Sequence, residues 1–326
     1  MQRRPRRNRR SGAIRNMVQE NSLTVNDLIL PLFLVPGHNV NEVINSLPVA
    51  SRLSIDHILR EIEECVNLGL NQFVLFPSIP ENLKDKYGTY SHQNDNLYLE
   101  AARNIKGEFP DVCLISDVAL DPYSSDGHDG VVEDGVILND ETLPILAKMS
   151  VAQAEAGFDI IAPSDMMDGR VGVIRNALDD SGHHEVGIMA YTAKYASGFY
   201  GPFRDALDSA PKAGDKKSYQ MNPANRKEAI IEGELDFSEG ADYLMVKPAI
   251  HYLDIIRDFS QSFNIPIAAY HVSGECAQLI AAAKMGWLDY DIVMPEAVLS
   301  IKRAGADVIL TYFAKELAVL FQSGKL

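Results

Sequence analysis

From Leu28 to the end of the chain, short unbroken apolar runs alternate with segments whose apolar residues return every three or four positions. A run without polar alternation suits a strand buried on both faces, and the longer period suits a helix laid against it. The runs fall at residues 28–34, 72–76, 112–117, 160–163, 187–191, 243–246, 267–271 and 308–312, with helical periods at 55–68, 97–106, 141–156, 225–234 and 274–284. Strand and helix in turn predict an α/β fold on a parallel sheet. Three runs are entered through the same device, Gly157-Phe158-Asp159, Gly240-Ala241-Asp242 and Gly305-Ala306-Asp307. There the glycine ends a helix and allows a tight turn into the strand. Eight strands, a repeated turn and no glycine-rich phosphate loop after an early strand favour a closed (β/α)8 TIM barrel over a doubly wound sheet. The 326 residues suffice for such a barrel, typically about 250 residues, with an extension. The expected division is an N-terminal arm over 1–27 and a catalytic barrel over 28–326.

The arm differs in kind from the rest. Its first fifteen residues, MQRRPRRNRRSGAIR, hold seven arginines, no acidic residue and no hydrophobic period, so it has no core of its own. A solvated tail, a nucleic-acid arm and an arm docked on an acidic neighbour are the three readings. The whole chain nevertheless carries a net charge of −15, so a second copy of it supplies the complementary charge, and a homo-oligomer held in part by the arm is expected. The same acidity argues against a body that binds nucleic acid. No apolar run reaches the length of a membrane span, and no apolar segment follows the arginines as in a signal peptide. Cys65, Cys113 and Cys276 are odd in number, far apart and without metal-ligand spacing, as befits reduced thiols in the cytoplasm.

Candidate chemistry gathers at the carboxyl ends of the strands, where a parallel barrel builds its sites. Lys247 follows the apolar run Tyr243–Val246 and precedes Pro248, which biases it towards an extended conformation at the strand end. A lysine so placed loses hydration, and a neutral amine there can attack a carbonyl; snorkelling or pairing with a carboxylate is the other use of such a residue. Lys194 stands at a comparable place after the fifth run. Two ammonium groups at neighbouring strand ends repel, which favours the neutral form of at least one. Loops 78–96 and 197–222 are long enough to be lids. Arg204 and the basic run 212–217 lie in the second and suit a carboxylate ligand. Ser273 and Tyr312, after the seventh and eighth runs, offer hydroxyls to the same kind of group, although Ser273 also suits a helix cap. Ser164, Asp165 and Asp168 follow the fourth run as proton acceptors or as an N-cap. The segment SDVALDPYSSDGHDG after the third carries Asp117, Asp121, Asp126, His128 and Asp129, which reads either as a site for a hard cation such as magnesium or as a solvated turn.

These segments, together with LILPLF, IAPSDMMDGRV, AKYASGFYGPFRDA, YQMNPANRKEA, GADYLMVKPA and YHVSGE, resemble the porphobilinogen synthase (5-aminolevulinate dehydratase) family of tetrapyrrole biosynthesis from end to end. The resemblance implies an α/β barrel whose arm wraps a neighbour, usually in a homo-octamer. It also implies a lyase that condenses two molecules of 5-aminolevulinate into porphobilinogen with loss of two waters. By the same resemblance Lys247 forms the Schiff base with the substrate giving the propionate side of the product, and Lys194 with the one giving the acetate side. Ser273 and Tyr312 would bind the first carboxylate, Arg204 and Lys216 the second, and Asp117, Ser164, Asp165 and Tyr200 would line the site. Lys216 stands where the family usually has arginine, keeping the charge without the bidentate fork.

Zinc-dependent members carry three cysteines where this chain has Ala119, Asp121 and Asp129, so a catalytic zinc is not expected. The resemblance implies stimulation by magnesium instead, at an allosteric position matching Glu232. The alternatives are a class I aldolase-like Schiff-base lyase, which needs one lysine where two are present, and a scaffold whose arm binds nucleic acid, which the acidic body opposes.

Overall fold

The structure, a computed structural model, describes residues 1–207 and 212–325. Eight parallel strands form the barrel: β1 Leu28–Leu34, β2 Gln72–Pro77, β3 Cys113–Ile115, β4 Ile160–Ile161, β5 Gly187–Lys194, β6 Tyr243–Lys247, β7 Ile267–His271 and β8 Val308–Thr311. Each pairs with the next, and β8 closes on β1 with Ile309 opposite Leu28. Strands β1 and β7 are buried along their whole length, because helices cover the outer face while inward side chains fill the interior. The covering helices are amphipathic: Ile55–Asn67 turns Ile58, Ile62 and Cys65 inward, and Leu253–Ser262 turns Ile255, Ile256 and Phe259.

The recurrent Gly-x-Asp turn has a second function beyond the cap. Gly157, Gly240 and Gly305 have φ of +104°, +104° and +123°, a region where a side chain would be strained. The aspartate that follows then bonds back to the preceding strand. Asp159, Asp242 and Asp307 accept the N–H of Leu114, Ile188 and Ile267, each at 2.8 Å. These bonds fasten the amino end of the barrel, opposite the lysines.

Strands β3 and β4 are shorter than the apolar runs suggest. Past Ile115 and Ile161 the two chains stay bonded, Val118 N–H to Ala162 O at 3.1 Å and Ser164 N–H to Val118 O at 3.0 Å, but not as a regular ladder. Asp117 and Ser164 therefore stand on irregular backbone at the barrel mouth. Strand β5 runs on past residue 191 to Lys194 and carries a bulge: Ala190 lies opposite Leu244 and Ala193 opposite Val246, so Tyr191 and Thr192 together face one residue of β6. Residues three apart on a plain strand point to opposite faces; the extra residue restores Tyr191 and Lys194 to the same side.

Two antiparallel hairpins, Asn41–Val43 with Ser51–Leu53 and Val131–Glu133 with Val136–Leu138, decorate the loops after β1 and β3. The arm forms a short 3-10 helix, Pro5–Arg9, and an α-helix, Gly12–Met17, and neither buries a residue. Among the described residues no helix is long and apolar enough to cross a membrane.

Candidate functional site

Register pairing sets Lys247 directly opposite Lys194 at the carboxyl ends of β6 and β5. Both side chains are buried, but their surroundings differ. The Lys247 ammonium lies 4.6 Å from the ring centre of Tyr270, 4.9 Å from Tyr191, 5.1 Å from Phe203 and 5.2 Å from Tyr200. Among the described residues no hydrogen bond or ion pair reaches its nitrogen. Burial, then the charge of Lys194, pulls its pKa down to about 7 against the opposing pull of Asp117, Asp121 and Asp129. Lys194 instead pairs with Asp129 Oδ2 at 3.2 Å and donates to the Ser164 carbonyl.

Two aspartates of the β3 loop, Asp121 and Asp129, are taken up by lysines. Lys216, from the lid, bonds Asp129 Oδ1 at 2.5 Å and Asp121 Oδ2 at 3.0 Å. Burial alone would raise Asp129, but Lys194 and Lys216 overcome it and hold the carboxyl at about 2. Lys216 is raised in turn, its own burial outweighed by Asp121 and Asp129. Asp117 is pushed up to about 6 by burial and by Asp121. The lid is further fastened by His128, whose ring nitrogens lie 3.1 Å from the Tyr219 hydroxyl and 2.9 Å from the Ala213 carbonyl. Residues 208–211 of the expected lid lie outside the described part.

The remaining expected residues fall around the same mouth, apart from two. Ser273 Oγ accepts the Phe203 N–H at 3.0 Å, tying the lid to the turn after β7, and its hydroxyl hydrogen remains for a ligand. The Tyr312 hydroxyl is 2.9 Å from that of Tyr270. Tyr200 donates to the Tyr195 carbonyl at 2.7 Å, its oxygen 3.2 Å from the Lys247 carbonyl. Arg204, on helix Gly201–Leu207, acts electrostatically on Tyr200 and Tyr219. Asp165 is fully buried, its Oδ2 without a hydrogen bond and 3.9 Å from Arg170 Nε, and burial drives it to about 7 although Arg170 opposes. Asp168 does not join the mouth: with Glu232 it lines a separate cleft of about 590 Å³ beside Asn139, Gln220 and Asn222.

Glu232 projects from helix Lys227–Ser238. Burial raises it to about 7, Asp236, Asp168 and Glu228 adding repulsion that Arg170 offsets in part. Magnesium asks for one or two carboxylates and keeps its waters, a demand that Glu232 and Asp168, which share this cleft, could meet. Among the described residues no three His, Cys, Asp or Glu converge as a dedicated metal cage.

Sequence reasoning missed Tyr191 and Tyr270, because an aromatic in an apolar run looks like core, and Phe203, because a phenylalanine in a long loop carries no mark of its role. It missed the buried pair of Arg170 with Asp236, at 3.0 and 3.1 Å, because sixty-six positions separate the two.

Comparison with known proteins identifies the family. The model of the delta-aminolevulinic acid dehydratase family matches residues 2–320. The chain is 55% identical over 317 residues to the chloroplastic delta-aminolevulinic acid dehydratase of Physcomitrium patens, covering 97% of this chain and 73% of that protein. It is 54% identical to the enzyme of that name from Bradyrhizobium diazoefficiens, with 97% and 90% covered, and 50% identical to the one from Chlamydia pneumoniae, with 99% and 98% covered. The crystal structure of the Toxoplasma gondii ME49 protein, in complex with its reaction product porphobilinogen, superposes with a TM-score of 0.96 at 49% identity, covering 98% of this chain and 91% of that one. With a paired-lysine barrel mouth and a family match over nearly its whole length, the chain belongs to the delta-aminolevulinic acid dehydratase family.

Proposed function

We infer that this chain condenses two molecules of 5-aminolevulinate into porphobilinogen with loss of two waters. The observation that carries the reading is the register pairing of two buried lysines, one of which is held near pKa 7. A neutral Lys247 amine adds to the ketone of the first substrate; the resulting carbinolamine loses water to give an iminium, and the carbon beside it becomes acidic. Lys194 does the same for the second substrate. Asp117, near 6 and within the field of both lysines, suits proton transfer at neutral pH. Ser273 and Tyr312 hold the first carboxylate, and Arg204 with Lys216 the second, Lys216 exchanging its bonds to Asp121 and Asp129 for the substrate. Ser164, Asp165 and Tyr200 shape the wall.

Magnesium, at Glu232, supplies regulation and not chemistry in this reading; the lysines activate the substrates without a Lewis acid. The thiolates that zinc prefers are missing from the β3 loop, and two of its carboxylates, Asp121 and Asp129, are bonded to lysines. The arm docks on a neighbouring subunit of a homo-oligomer, an octamer by family resemblance, supported by its exposed arginines and by apolar side chains left bare on the barrel, among them Ile231, Leu235 and Trp287. The three unpaired cysteines support a cytoplasmic setting.

The test is direct: incubation with 5-aminolevulinate gives the pyrrole, and borohydride trapping with peptide mapping labels Lys247. Normal turnover by Lys247→Met would sink the reading.

A further inference from the structure

Glu275 is a buried acid of this region to which the mechanism gives no role. It is the third residue of helix Ser273–Lys284 and is wholly inaccessible. Its Oε2 accepts the N–H groups of Ala249 at 3.2 Å and Val272 at 3.0 Å. Its Oε1 accepts the N–H of His251 at 3.2 Å and lies 3.2 Å from that ring's Nδ1. Ala249 and His251 are two and four residues after Lys247, and Val272 immediately precedes Ser273. One carboxylate therefore fastens both the turn leaving β6 and the turn leaving β7, the segments that aim the lysine and the serine. Charge-assisted bonds shielded from water, as those to Ala249 and Val272 are, are among the stiffer ties a protein makes. The serine is also confined from the other side, since a Cβ on Gly274 would lie 2.8 Å from Phe199 Cα.

We propose that Glu275 is a positioning residue that sets the span between the Lys247 amine and the Ser273 hydroxyl, and thereby selects the length of the keto acid bound there. The proposal rests on the reading that Lys247 takes the ketone and Ser273 the carboxylate of one substrate. In 5-aminolevulinate those two groups are separated by two methylenes. A site that grips both ends measures the distance between them only if its two grips cannot slide, and Glu275 is the group that joins them.

The test uses the full-length protein and two simple acids, 4-oxopentanoate with two methylenes between ketone and carboxylate and 5-oxohexanoate with three. The adduct trapped by borohydride on Lys247 is quantified by peptide mapping against acid concentration. The wild-type protein is expected to favour the shorter acid about tenfold or more, the discrimination one methylene gives in a fitted site. Glu275→Gln removes the charge and turns one acceptor into a donor facing an N–H; the preference should narrow to about threefold or less, with Lys194 labelling in the same digest unchanged. If that variant does not reach the wild-type circular dichroism and oligomer size, Glu275→Asp, which shortens the tie by one methylene, is measured with the same expectation. A folded variant that keeps the wild-type preference, or weakens both acids equally, overturns the proposal and leaves the imine reading standing; so does a wild-type preference near one. No Lys247 adduct in the wild-type protein overturns both together.

Discussion

At pH 7 an ordinary lysine offers roughly one neutral amine in 2,500, whereas Lys247, at about 7, offers about half. The gain in nucleophile is on the order of 10³-fold, most of it due to burial, with Lys194 second. Lys194→Met keeps most of the volume and removes the second cause. It also leaves Asp129, 3.2 Å from the Lys194 ammonium, with less compensation, so its negative charge acts more strongly on Lys247. Both changes favour the protonated amine, and we expect the Lys247 midpoint to rise by roughly one unit while burial keeps it below the ordinary lysine value. The neutral fraction at pH 7 then falls from about one-half to about one-tenth. The assay is the rate of borohydride-trapped 4-oxopentanoate on Lys247 across pH 6–10. About fivefold slower labelling is expected at pH 7, with wild type and variant converging near pH 10. A midpoint that stays in place or moves down refutes the argument that the lysines act on each other through charge.

Three further outcomes are expected. Because the folded state holds Lys247 deprotonated between about pH 7 and the unfolded value near 10.4, the unfolded chain binds the extra proton there, and wild-type stability rises with pH through that window. Lys247→Met should be inactive yet more stable at pH 7 by up to ~4 kcal/mol, the gap closing towards pH 10 in urea melts; a destabilised variant would contradict the burial argument. Magnesium should stimulate turnover above a basal rate that survives chelation, and Glu232→Ala should keep the basal rate and lose the stimulation in a magnesium titration. Deleting residues 1–10 should weaken the oligomer, most at high salt, and an unchanged sedimentation profile would count against the docking arm.

The barrel was legible because a strand covered on both faces has no polar face to confuse the pattern. All eight strands lie where the apolar runs do, and β1 and β7 match to the residue. The errors have physical causes. Strands β3 and β4 end early because the chain there gives up regular pairing to present Asp117 and Ser164. Strand β5 runs long because the polar residues Thr192 and Lys194 break the apolar run that would have extended it. Helix Arg170–Asp180 shows inward residues Val171, Ile174 and Leu178 at helical spacing, but Gly172 and the polar stretch before it hid the pattern. In the site, the two lysines were readable because a cation at the end of an apolar strand is anomalous. Glu275 and the Arg170–Asp236 pair were not, since a buried carboxylate is recognised by its partners, and those come from distant positions. The β5 bulge has no sequence mark at all; it appears only once β6 supplies the register.

The ion pairs of the mouth also suggest why a lid and a nucleophile share one loop cluster. Three carboxylates favour a charged Lys247: Asp117, Asp121 and Asp129. The closed lid brings Lys216 onto two of them, and Lys194 holds Asp129 as well. Anions engaged at 2.5–3.2 Å with other cations have less field to spare for the lysine that lacks an ion partner. What surrounds that lysine instead is the faces of aromatic rings, whose attraction for a cation is weaker than a carboxylate's. Removing the Lys216 ammonium is expected to release Asp121 and Asp129 to stabilise the Lys247 ammonium and so to raise its midpoint. Lys216→Ala should therefore raise the Lys247 labelling midpoint, in the same direction as Lys194→Met although Lys216 is not among the groups packed around Lys247. The decisive comparison is the pH profile of trapping with 4-oxopentanoate in the two variants. A Lys216→Ala profile superimposable on the wild type would mean that lid closure and amine protonation are independent.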